Sequence, residues 1–215
     1  MGRARDISKV FSTGTALATD SEVSGSYLTL SSASTTYQTK ATAGLTLLNT
    51  TSFTAQTTVS INDVFSSTYD SYRIIFYRDS TVTSLSGTAL KLRVSGSDLS
   101  SGYNYVKQLV RSNNSFQTFY ITGEVAMYLS DSTDSIGKAV IVDLANPFRS
   151  VSGTDKTFEY NMMGLSSGYN YAGNVFGWVD SATSYTGFSL TNDPGNMTGS
   201  VSVYGYNKWS GIKEI

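Results

Sequence analysis

From Leu45 onward apolar and polar residues alternate with a period of two, whereas the residues before it carry few apolar side chains at all. Leu90, Leu92 and Val94 alternate with Lys91, Arg93 and Ser95, which is how a strand reads when one face is buried and the other is wet. Val125, Met127 and Leu129 repeat the pattern, and Val201, Val203 and Gly205 give it again as the last strand. Tyr72 to Tyr77 and Lys138 to Leu144 are more continuously apolar, so both are expected in the middle of the sheets. Stretches near 45–53, 56–61, 103–110, 116–122, 156–163, 172–179 and 185–191 complete the set, divided by turn-forming runs such as Ser112 to Ser115, Asp131 to Ser135 and Asn192 to Asn196. Roughly ten to twelve short strands with no helix between them predict an all-β fold, an antiparallel, jelly-roll-like β-sandwich over residues 45–215.

Residues 1–44 predict something different, an extended N-terminal arm. Ser12 to Ala43 is mostly Ser, Thr, Ala and Gly. Fixing each backbone residue costs about 1–2 kcal/mol, and this run has little apolar area to set against that. Tyr27-Leu28-Thr29 returns as Tyr37-Gln38-Thr39. Several arms side by side can bury Tyr27, Leu28, Leu30, Tyr37, Leu45 and Leu47 on one another, which makes these the expected oligomerisation residues. At the start of the arm Ile7, Val10 and Phe11 have helical spacing, with Arg3 and Arg5 available to the other face. A helix this short is marginal alone and needs a surface to dock on.

Composition narrows the chemistry. The chain has 215 residues and a formal net charge of −1, from 15 basic and 16 acidic side chains, so it lacks the basic footprint of a nucleic-acid binder. Cysteine and histidine are both absent. That eliminates His-dependent triads, Cys nucleophiles and nearly every zinc geometry, and no metal or other cofactor is expected. No apolar run reaches the roughly 18 residues of a membrane span, and no apolar segment after Met1 to Asp6 suggests a signal peptide, so neither membrane insertion nor Sec export is expected.

The remaining catalytic options are thin. The four glutamates are Glu22, Glu124, Glu159 and Glu214, so a two-carboxylate glycosidase would have to recruit an aspartate such as Asp143 or Asp180. Asp143 is expected to end its strand and cap the Asn146-Pro147 turn. Asp131 and Asp134 lack the ligand ladder and glycine of a calcium loop. No phosphate loop, dinucleotide fingerprint or nucleophile elbow is present, and no catalytic residue is predicted. Leu-Ser-Ser-Gly-Tyr-Asn-Tyr occurs twice, at Leu99 to Tyr105 and Leu165 to Tyr171. Both copies read as a turn leading into a strand. The alternative is that Tyr103, Tyr105, Tyr169 and Tyr171 form aromatic ligand platforms at one end of the sandwich.

Three features in order along the chain carry a resemblance: Gly2-Arg-Ala-Arg-Asp-Ile-Ser-Lys with the Ser/Thr arm behind it, the Tyr-Leu-Thr repeat running into Thr46-Leu-Leu-Asn-Thr-Thr-Ser-Phe53, and the terminal Gly199-Ser-Val-Ser-Val-Tyr-Gly-Tyr. Asn62-Asp-Val-Phe-Ser-Ser-Thr-Tyr-Asp-Ser-Tyr-Arg-Ile-Ile extends it. The chain resembles appendage proteins of tailed bacteriophages, in particular those of marine and cyanobacterial phages. The resemblance implies a non-enzymatic virion protein, commonly trimeric, with its N-terminus fixed to the particle and its β domain outward. Arg3, Arg5, Ile7, Val10 and Phe11 would then anchor it to a portal, tail or capsid protein. The brief stalk fits a short tail fibre, knob or head decoration, and the alternative is the host-surface glycan-binding adhesin domain of a fibre.

Overall fold

The period-two alternation becomes thirteen strands and no helix in a computed structural model that describes residues 44–79, 87–130, 138–150, 156–166, 169–193 and 195–208. The strands are β1 (Leu45–Gln56), β2 (Thr58–Ile61), β3 (Ser71–Arg78), β4 (Gly87–Val94), β5 (Ser97–Asp98), β6 (Tyr103–Arg111) and β7 (Phe116–Glu124). Then follow β8 (Met127–Tyr128), β9 (Lys138–Ala145), β10 (Lys156–Ser166), β11 (Tyr169–Val179), β12 (Gly187–Asp193) and β13 (Met197–Tyr206). They form an eight-stranded sheet, β1-β13-β3-β9-β10-β11-β6-β7, and a smaller sheet, β2-β12-β4-β5, with β8 also on β4. Every pairing is antiparallel.

Within this order, β1-β13-β3-β9 facing β2-β12-β4-β8 is a jelly roll. Two insertions enlarge one side of it. The β6–β7 and β10–β11 hairpins both add to the large sheet beyond β9, doubling its width from four strands to eight. Residues 44–215 form one compact unit. Arg3, Arg5, Ile7, Val10 and Phe11, expected to anchor the chain, and Tyr27, Leu28, Leu30 and Tyr37, expected to serve oligomerisation, lie outside the described residues. So do Asp131 and Asp134.

Alternate residues of the two facing sheets fill the core. Tyr72, Ile74 and Phe76 on β3, Val140, Val142 and Leu144 on β9, and Leu90 and Leu92 on β4 are all buried. Full burial of such a side chain stabilises by about 1.5–3 kcal/mol. Among the polar bridges across this layer, buried Arg78 donates from Nη1 to Thr88 Oγ1 at 2.9 Å and to Asn192 Oδ1 at 3.4 Å, and Thr88 Oγ1 donates to the same Asn192 oxygen at 3.0 Å. It ties β3 of one sheet to β4 and β12 of the other.

The continuously apolar β3 and β9 do lie side by side in the middle of the large sheet. They are not covered on both faces, however: Tyr77 and Ile141 point away from the core and are exposed. The expected strand through Val125, Met127 and Leu129 shrinks to the two residues of β8, because β7 runs on to Glu124. Asn192 and Asp193, expected in a turn, end β12.

Candidate functional site

The face of the large sheet turned away from the core collects the chain's surface hydrophobics. Of the twelve exposed large hydrophobic residues among those described, nine lie on it. Register places one row straight across all eight strands: Leu47, Tyr204, Arg73, Asp143, Glu159, Phe176, Val106 and Tyr120. Both ends of the row are apolar or aromatic, and its centre is charged. Trp178 stands beside Phe176 on the same side of β11, two residues along.

A groove of about 850 Å³ runs through this centre, lined among others by Arg73, Asp143, Glu159, Phe176, Trp178 and Tyr206. Arg73 donates Nε to Asp143 Oδ1 at 2.8 Å and Nη2 to Asp143 Oδ2 at 2.6 Å. Tyr206 donates its hydroxyl to Asp143 Oδ1 at 2.8 Å, and the Arg73 guanidinium lies 5.6 Å from the Tyr206 ring centroid. Burial alone would raise the Asp143 pKa, but the hydrogen bonds from Arg73 and Tyr206, with the Arg73 charge, outweigh it and hold the carboxyl below its ordinary value. The bond to Asp143 raises the Arg73 pKa in turn. Burial first and the Asp143 bond second raise that of Tyr206. Asp143 is therefore ionised and clamped at neutral pH, which suits an acceptor and not a proton donor. Its expected role as a cap on the Asn146-Pro147 turn is replaced by this clamp, because its position on β9 turns it to the open face. Glu159, directly opposite on β10, is exposed.

The repeated Tyr-Asn-Tyr motif does begin β6 and β11. Three of its rings, however, are not platforms, and the side chain of Tyr169 lies outside those described. Tyr103 is fully buried, and Tyr105 and Tyr171 are only 4% exposed, since each stands at an inward position of its strand and packs into the core. Tyr169 begins β11, paired with Ser166. Leu45 and Leu47, expected from the sequence to serve oligomerisation, lie on the open face, 40% and 55% exposed, at the start of the edge strand β1.

Arg73, Glu159, Phe176, Trp178 and Tyr206 were not singled out by sequence reasoning. Each is the wet-face member of an alternating strand, which gave a signal for exposure. No local pattern told that four distant strands bring them to one groove. Comparison with protein-family models, curated proteins and solved structures yields no match.

Proposed function

We propose that this chain is a structural virion protein of a tailed phage, a short fibre, knob or decoration that attaches through its N-terminal arm, oligomerises as a trimer and displays the sandwich outward. The observation that carries the reading is the pair of exposed leucines, Leu45 and Leu47, where β1 begins. They continue into the sandwich the sparse apolar series Tyr27, Leu28, Leu30 and Tyr37 of the preceding sequence. An apolar series too thin to bury itself gains its area from identical copies. Asp143, held ionised by Arg73 and Tyr206, does not suit the proton-donor role of acid catalysis.

Deletion of residues 1–25 tests the reading in an infected host. The shortened protein is expected to fold and stay soluble but to be absent from purified particles. Truncated protein incorporated at the wild-type level would overturn the anchoring role.

A further inference from the structure

We infer that the groove across the large sheet binds a neutral, linear saccharide chain. This goes beyond the assembly role and does not depend on it. The groove passes from Tyr206 on β13 to Val106 on β6, crossing six neighbouring strands. Five spacings of about 4.8 Å make it about 24 Å long, room for a run of linked rings.

Its chemistry alternates flat apolar surface with fixed polar groups. Phe176, 45% exposed, and half-buried Trp178 stand on one side of one strand, about 7 Å apart, and offer two ring faces in succession to the C–H faces of sugar rings. Arg73 is held in place by Asp143, and among the described residues its Nη1 edge has no protein partner. The Glu159 carboxylate, which feels the Arg73 charge, accepts no hydrogen bond among the described residues. A donor edge on β3 and an acceptor on β10, with Asp143 of β9 between them, can meet hydroxyls along a bound sugar chain.

The same features argue against other occupants. Arg73, Asp143 and Glu159 sum to one negative charge, which repels acidic glycans and phosphate. An apolar peptide would strip water from three charges and give nothing back. An extended peptide has no strand edge to add to, because all six strands under the groove are paired on both sides.

Isothermal titration of the full chain with neutral hexasaccharides (β-1,3-, β-1,4- and α-1,4-glucan and β-1,4-mannan), and with acidic oligogalacturonate as comparator, tests this. At least one neutral chain is expected to bind with a Kd below about 1 mM, and oligogalacturonate is not. Trp178→Ala and Phe176→Ala should each weaken binding by about tenfold or more. Tyr120→Ala, on the same face outside the groove, should leave it unchanged. Glu159→Gln alters only an exposed carboxylate, so it carries the test should an aromatic variant misfold, and it too should weaken binding. The inference is overturned if no neutral chain binds, if the acidic one binds better, or if the groove variants bind as the wild type does. Particle incorporation of Glu159→Gln reads the assembly role separately.

Discussion

Two side chains show how much of the residue scale depends on register. Tyr103 opens its strand as its motif predicts, and instead of the alternative role as an exposed platform its hydroxyl accepts the backbone N–H of Leu92 at 2.7 Å, inside the core. The reason is a gap: β5 pairs with β4 at Arg93 and Val94, β8 pairs with it at Ala89 and Leu90, and the N–H of Leu92 falls between them. A buried N–H left there without a partner would cost about 1–3 kcal/mol. Asp143 is the second case, and it carries a pH dependence. Its folded pKa lies below the unfolded value of about 3.9, so its contribution is complete above that value and is lost as pH falls through the folded pKa. Asp143→Asn is therefore expected to cost up to about 1 kcal/mol at neutral pH, the scale of a partly exposed ion pair. Urea unfolding of wild type and variant should show a constant gap between about pH 6 and 8 that narrows once the pH drops below about 4. A gap of the same size at pH 7 and at the acid end would mean that the Arg73–Asp143–Tyr206 cluster does not set it.

At the level of strands the sequence was most legible where alternation is strict. Leu90 to Val94 and Val201 to Gly205 took the faces that their pattern predicted, with Val201, Val203 and Gly205 all inward. What alternation cannot carry is which strand lies beside which. Nothing local to Phe116–Glu124 or Tyr169–Val179 says that both insertions widen the same sheet, and so the row that forms the groove stayed hidden. Gly205 shows a third kind of information, a side chain missing for a reason. A Cβ built there would run into the ring of Tyr69, which packs on the core from the loop before β3. Gly205→Ala should therefore destabilise by about 1–3 kcal/mol, as overpacking does. In a Tyr69→Ala background the same change should cost less, because the obstructing ring is gone. Equal costs in both backgrounds, measured as a double-mutant cycle, would place the strain elsewhere.

For the whole molecule the division at residue 43 makes a thermodynamic claim. Residues 44–215 are a compact unit with one buried core shared by both sheets, and the arm's sequence offers that core little apolar area. Stability of the sandwich should then reside in the sandwich, and self-association in the arm. These two properties separate by concentration. A protein whose oligomer stabilises the folded state melts higher as it is concentrated, since association is linked to folding by mass action, whereas a monomer's midpoint does not move. The full chain is expected to raise its melting temperature with each tenfold increase in concentration. A fragment spanning residues 44–215 should melt in one transition whose midpoint is independent of concentration, and should run as a monomer in sedimentation. The exposed Leu45 and Leu47 remain in that fragment, which makes the comparison demanding. A fragment that still associated would move the oligomer contact from the arm onto the open sheet face, where it would compete with the groove for the same surface.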